Sequence, residues 1–164
     1  MPMTVRLTLP KIDLMPPETL LRRVGDLAAR LIMTRTERGL DVTNTPFRPL
    51  SDGYAKVKRE ELGHDTANLK VSGAMLQDMG VTSVGRSSVT IGWRTMGAER
   101  GGGRTLIQRS RSVGSGNKAF WHHEAGAGKS RVRRPFFALN AQDKAKIQAE
   151  VEKWVRGIAQ QASR

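Results

Sequence analysis

Apolar residues recur at helical spacing near both ends of the chain. In residues 17–38 they follow one another at intervals of four, three and four, at Leu20, Val24, Leu27 and Leu31, and Leu21, Ala28 and Ile32 widen this stripe. Pro17 and Glu18 suit the first turn of a helix, and Gly39 suits its end. The pattern predicts a helix over 17–38 whose outer, solvated face carries Arg22, Arg23, Arg30 and Arg35.

The same spacing near the C-terminus predicts a second long helix, over 141–159. Its apolar stripe consists of Ile147, Val151, Trp154 and Ile158. Asn140 and Asp143 stand three residues apart at its start, which is the pattern of a capping box. An apolar stripe needs a partner to cover it, so we expect Trp154 to lie in the core.

Strand patterns occur at two places. Val5, Leu7 and Leu9 alternate with polar residues before Pro10, which predicts a short strand. Residues 81–93 read VTSVGRSSVTIGW and predict a hairpin with Val89, Ile91 and Trp93 on one face.

Shorter elements fill the region between these strands. Residues 40–53 contain two X-Pro pairs and predict an ordered loop, and residues 51–62 predict a short polar helix. Ser72 is a suitable N-cap for a two-turn helix that ends at Gly80, and Val71 with Leu76 has the spacing of a hydrophobic staple.

Together these elements predict an α+β fold. We expect a small, mainly antiparallel sheet packed by a long N-terminal helix and a C-terminal helix. A length of 164 residues suits a single domain over 1–164. Residues 94–118 contain six glycines and little strand pattern beyond TLI at 105–107, so they predict a flexible basic insert, either a long loop or a hairpin extension.

Charge is the strongest compositional signal. The formal net charge is +13, and residues 94–134 alone hold ten basic residues against two acidic ones. Such a balance predicts polyanionic surroundings, whether nucleic acid, membrane headgroups or an acidic protein surface, and a merely solubilising loop is the alternative. The candidate partner- or DNA-facing residues are Arg100, Arg104, Arg109, Arg111, Arg131, Arg133 and Arg134.

Candidate chemistry is sparse. AGAGKS at 125–130 ends like a phosphate-binding P-loop, but His123 stands where that motif needs its first glycine, and Pro135 prevents a following helix. His122, His123 and Glu124 are adjacent, a poor spacing for one metal ion, so we expect one buried and one exposed histidine. The chain has no cysteine and no G-x-S-x-G motif. We therefore predict no catalytic residues, no metal site, no cofactor and no enzymatic activity.

Targeting signals are also absent from the sequence pattern. No run of 18 or more apolar residues occurs, and the stretch MPMTVRLTLPKID lacks the apolar segment of a signal peptide. We expect a soluble, unexported chain with no membrane partner.

Several motifs, in their order, resemble the virion morphogenesis or tail-completion proteins of tailed phages. The family's loop of the type G-x-D-x-x-x-x-P-F-x-P-L-S-x-x-Y-x-x-x-K is similar to GLDVTNTPFRPLSDGYAKVK at 39–58. LKVSGAM at 69–75 is similar to its L-x-x-[ST]-G-x-[ML] motif. HHEAG at 122–126 and RRPFFALNAQDKAKI at 133–147 are similar to the last two elements. The insert at 94–118 is longer and more basic than in the family.

The resemblance implies a structural virion protein without cofactor or catalytic residues. It implies tail completion and head-tail joining as a subunit of a neck or tail-end ring, assembled in the host cytoplasm. The implied partners are copies of itself, portal or connector proteins, and tail-tube and tail-terminator proteins. Genome DNA in the channel is a further partner through phosphate contacts. The alternative is a sequence-nonspecific nucleic-acid-binding protein outside any virion.

Overall fold

The computed structural model of the chain describes residues 3–8, 15–94, 105, 114–127 and 131–162. Its strands are β1 (Val5–Thr8), β2 (Met79–Val84) and β3 (Ser88–Trp93). Its helices are α1 (Glu18–Glu37), α2 (Asp52–Leu62), α3 (Ala74–Gln77), α4 (Ser115–Phe120) and α5 (Ala141–Ala162), with a π-helical turn (Trp121–Ala125) after α4. The predicted α+β class is confirmed.

The three strands form an antiparallel sheet in the order β1-β3-β2, so the predicted strand and hairpin are both present. Leu9 lies outside the described residues. A bulge at Thr82 interrupts β2 between Val81, which pairs with Ile91, and Ser83. Because successive strand residues point to opposite faces, Val81 and Val84 share the apolar face only through this extra residue.

Helix α1 covers the apolar face of the sheet and also packs on α5. Gly25 of α1 lies directly against the sheet. A Cβ at this position would lie 2.5 Å from Val81 Cγ2 and 2.8 Å from Val89 Cγ2. The missing side chain therefore sets the distance between helix and sheet.

The buried face of α1 follows one side of the predicted stripe, the side widened by Leu21, Ala28 and Ile32. Leu21, Val24, Ala28 and Ile32 are buried, whereas Leu27 and Leu31 are only partly covered. The prediction of Arg35 on the outer face is wrong, because its side chain is 5% exposed. Arg35 continues the spacing of Ala28 and Ile32, and the buried face includes it because it has polar partners there.

The predicted helix from Ser72 to Gly80 is shorter than expected. Helix α3 ends at Gln77, and Met79 and Gly80 pair with Trp93 and Gly92 as part of β2. Pairing with β3 thus overrides the local helical signal. Ser72 Oγ accepts a long hydrogen bond of 3.4 Å from the Ala74 amide.

The end of the predicted insert is helical, since α4 begins at Ser115. Residues 95–104 and 106–113 lie outside the described residues, as do most of TLI at 105–107. Ala119 is fully buried, but Phe120 and Trp121 are 38% and 46% exposed. Only some side chains of the AFWHHE stretch therefore lie in the core.

The C-terminal helix begins where the sequence indicates. The Asp143 amide donates to Asn140 Oδ1 at 2.9 Å, and the Asn140 amide donates to Asp143 Oδ2 at 3.2 Å, which confirms the capping box. Ile147 and Val151 are buried. Trp154 packs against the core but is only partly buried, so the expectation that it lies within the core is corrected.

Candidate functional site

Loop 39–50 is held in shape by the side chain of Asp41. Its Oδ1 accepts hydrogen bonds from the Thr43 amide at 2.8 Å and the Thr45 amide at 2.9 Å. Burial raises the pKa of Asp41, but a hydrogen bond from the Thr43 hydroxyl at 2.7 Å, the two amide hydrogen bonds and the charge of Arg35 together outweigh it and lower the pKa below the usual value. The predicted loop is therefore ordered by its own sequence, and Phe47 inserts into the core beneath it.

Loop 39–50 is fastened to segment 131–140, and we call these two segments together the junction. The Val42 amide donates to the Pro135 carbonyl at 3.0 Å. Arg134 Nη2 donates to the Arg48 carbonyl at 3.2 Å, and Asn140 Nδ2 donates to Asn44 Oδ1 at 3.2 Å. Residues nearly a hundred positions apart thus form one surface.

Arg35 anchors the junction to α1. Its Nη1 forms a buried ion pair with Asp143, the same carboxylate that caps α5. Its Nη2 donates to the carbonyls of Phe136 and Ala138. One guanidinium therefore joins α1, segment 131–140 and α5, which is the geometry a planar fork of donors permits.

Trp93 connects the junction to the sheet and to α3. Phe137 stacks on it in a tilted arrangement with ring centroids 4.4 Å apart, and Phe136 meets its edge at 6.1 Å. Trp93 Nε1 donates to the Met75 carbonyl at 2.7 Å. The aromatic pair of the RRPFF stretch thus joins the junction to the core, as Phe47 does from loop 39–50.

The two adjacent histidines are both partly buried, so the expectation of one buried and one exposed histidine is wrong. His123 Nδ1 accepts hydrogen bonds from the amides of Phe136 and Phe137 at 3.2 and 3.1 Å. Its proton then belongs on Nε2. Burial lowers the pKa of His123, and the Glu124 carboxylate only partly opposes this. Both rings sit in the π-helical turn, whose wider pitch reorients successive side chains.

The predicted basic residues fall into three groups. Arg131 and Arg133 are exposed on the junction. Arg134 is only 7% exposed, so it does not belong to the exposed basic surface. Arg100, Arg104, Arg109 and Arg111 lie outside the described residues.

Like Arg134, Lys58 in α2 is a buried basic residue, with only 2% of its surface exposed. It was not predicted as a site residue. Its Nζ donates to the Thr66 carbonyl at 2.5 Å and to Asn68 Oδ1 at 2.9 Å. Burial and the charge of Arg134 lower the pKa of Lys58 to about 8. Its position in a polar helix does not indicate burial, and the one sequence signal for it is that Lys58 is the final lysine of the motif at 39–58.

The flanks of the AGAGKS stretch differ from those of a P-loop. The π-helical turn precedes it where a strand is required, and the extended segment 131–140 follows where a helix is required. Gly128, Lys129 and Ser130 themselves lie outside the described residues. Ala127 pairs with Val132 across the turn. A Cβ at Gly126 would lie 2.1 Å from the Arg131 carbonyl oxygen, so only glycine fits there.

The described part of the chain bears on two further features, metal binding and membrane insertion. Within it, no group of three or more acidic, histidine or cysteine residues is arranged to hold a metal ion. No helix in the same residues is long and apolar enough to cross a membrane. A scan against models of protein families finds none that matches the chain, and no curated protein or solved structure matches it either.

Proposed function

We propose that this chain is a structural subunit of the neck or tail end of a tailed phage, acting in tail completion and head-tail joining. One observation carries the proposal. The segments that resemble the tail-completion family meet at the junction, through the contacts of Val42 with Pro135, Arg134 with Arg48, and Trp93 with both Phe137 and Met75. Segments that are far apart in the chain are thus packed together around one part of the fold.

Assembly requires surfaces that the free subunit leaves uncovered. Helix α2 buries only Lys58, and its Tyr54 and Val57 are each 38% exposed. Phe120 and Trp121 are exposed as well. Aromatic and aliphatic side chains of this kind are favoured at the centre of protein interfaces. We propose that they contact neighbouring copies in a closed ring and the connector or tail proteins above and below it.

Electron microscopy of the purified full-length chain tests this function, with light scattering to measure mass. We expect closed rings and a mass that is a multiple of 18.1 kDa. Trp121→Ser should reduce ring formation without unfolding the subunit. Arg156→Ser, an exposed change on α5, is the control. A protein that stays monomeric at every concentration and also when mixed with connector proteins would contradict the proposal.

The basic insert has its own test in the virus. Deletion of 97–113 stops short of α4, whose Ser115 and Gly116 are buried, so the subunit should still fold. We expect heads and tails that remain unjoined, because arginines on a glycine-rich chain are suited to charge-assisted contacts with an acidic partner. Normal infectious titre would assign the insert a solubilising role only.

A second candidate is a nucleic-acid-binding protein outside any virion. The net charge of +13 and the exposed side chains of Arg131 and Arg133 favour it. Phosphate contacts would make its affinity for DNA fall steeply with salt. Salt-dependent binding of duplex DNA by a subunit that forms no rings would favour this candidate over the neck protein.

A further inference from the structure

Two buried cations, Lys58 in α2 and Arg134 of the junction, are near enough for the charge of Arg134 to lower the pKa of Lys58, and neither has a carboxylate partner among the described residues. Lys58 and Arg134 are 2% and 7% exposed. Their hydrogen-bond acceptors, two carbonyls and an amide oxygen, are neutral. None of the ion pairs between described residues includes either cation. Buried charges in proteins are normally paired, so this arrangement needs a compensating group.

Polar atoms beside these cations also lack partners. Arg134 Nε and His122 Nδ1 are buried and have no hydrogen-bond partner among the residues that the structure describes. The two residues are adjacent in space, since the Arg134 amide donates to the His122 carbonyl at 2.6 Å. An unsatisfied donor on a charged, buried guanidinium is costly, and native structures seldom leave one without a ligand.

The electrostatics of the neighbourhood are dominated by positive charge. Burial, then the charges of Arg134 and Lys118, lower the pKa of His122 to about 4. Arg48 lowers the pKa of Arg134, after the larger effect of burial. Two groups act in the opposite direction: Asp65, which is also paired with Arg59, raises the pKa of Lys58, and Tyr54 raises the pKa of Arg134, but burial outweighs both. The other nearby acids, Asp78 and Glu61, act on Lys118 and on Tyr54. The positive charges are thus left in excess.

We propose that Lys58, Arg134 and His122 form a binding site for a phosphate group. A guanidinium fork and a lysine ammonium are the side chains that phosphate-binding sites use, and the His122 ring supplies a further hydrogen bond. A phosphate group with two negative charges offsets both buried cations, whereas a carboxylate offsets one. This inference does not rest on the proposed neck function, because it concerns only contacts within the subunit.

Titration of the full-length chain with inorganic phosphate tests the site. Binding is measured by calorimetry and by the thermal unfolding midpoint, with chloride added to keep the ionic strength constant. We expect a saturable heat and a rising midpoint. A midpoint that responds only to ionic strength, or acetate that binds as tightly as phosphate, would overturn the proposal.

Variants locate the site within the basic region. Arg134→Met and Lys58→Met should each weaken phosphate binding by about tenfold to a hundredfold, the effect of losing a hydrogen bond to a charged group. Arg133→Met removes the same charge from the exposed neighbour and should change the affinity by less than about twofold. If Arg134→Met fails to fold, Lys58→Met decides the question. Equal losses in Arg133→Met and in the buried variants would overturn the site.

Two oligonucleotides distinguish a site for free phosphate from a site for the terminal phosphate of a nucleic acid. A short single strand with a 5′ phosphate should displace inorganic phosphate if the site takes the end of a nucleic acid. If the site takes free phosphate, neither this strand nor its unphosphorylated counterpart should displace it. Either result supports a buried site. Equal displacement by both strands would show a general polyanion surface and overturn it, while ring formation would remain a separate measurement of the proposed function.

Discussion

Arg35 in α1 and Asp143 in the first turn of α5 form a buried ion pair, with side chains 5% and 8% exposed. Asp143 also caps α5, and Arg35 also holds the carbonyls of Phe136 and Ala138. The sequence predicts that Arg35 lies on the solvated face of α1, yet its ion pair with Asp143 fixes the relative position of the two long helices. Each charge offsets the other, and the Arg35 guanidinium also provides hydrogen bonds to two backbone carbonyls of the junction.

Removal of one partner of this pair should be strongly destabilising. Asp143→Ala is expected to lower the free energy of unfolding by about 3–5 kcal/mol, because it leaves the Arg35 charge buried and unpaired. Denaturant unfolding measures the loss. The control is Glu150→Ala, which breaks the pair between α5 and the exposed side chain of Arg23 and should cost less than about 1 kcal/mol. Similar losses in both variants would contradict the importance of burial.

Alanine substitutions at Gly25 and at Gly157 should change the stability of the fold in opposite directions. At Gly25 the new methyl group would overlap Val81 and Val89, so a loss of about 1–3 kcal/mol is expected. At Gly157 nothing lies within 4 Å of the added Cβ, and alanine should stabilise the helix by up to about 1 kcal/mol. The thermal unfolding midpoint should therefore fall in Gly25→Ala and rise in Gly157→Ala. A neutral Gly25→Ala would mean that α1 does not rest on the sheet at this point.

Acid should destabilise the fold through the two histidines of the π-helical turn. The pKa values of His122 and His123 are lowered by burial, to about 4 for His122. The unfolded chain therefore takes up these protons first, and stability is lost as the pH falls from about 6.5 towards 4. We expect a loss on the order of 1–3 kcal/mol for His122 over this range. The double variant His122→Gln/His123→Gln should flatten the dependence, and an unchanged slope would contradict the assignment.

The buried Lys58 should make the stability of the fold depend on pH in the alkaline range as well. Its pKa in the folded chain is lowered by burial to about 8, below the ordinary value of 10.5. Between these values the unfolded chain holds more protons, so the contribution of Lys58 to stability rises as the pH increases from about 8 to 10.5. Lys58→Met should remove this rise in unfolding measurements made without phosphate. Lys146→Met, an exposed lysine of α5, should retain it.

The sequence by itself determined the regular elements of this protein. Apolar spacing of 3.6 residues and the Asn140–Asp143 capping box placed the two long helices, and alternation placed the hairpin, because these signals act over a few neighbouring residues. Asp41 with its two threonines likewise shapes the loop locally.

Only the tertiary structure decided which polar groups are buried. Arg35 enters the core because Asp143 and two carbonyls, more than a hundred residues away, meet its donors. Lys58, Arg134 and His123 are covered by segments that approach from elsewhere in the chain. The early end of α3 has the same origin, since Met79 gains a partner in Trp93. The burial of a charge depends on partners distant in sequence, and no local pattern contains them.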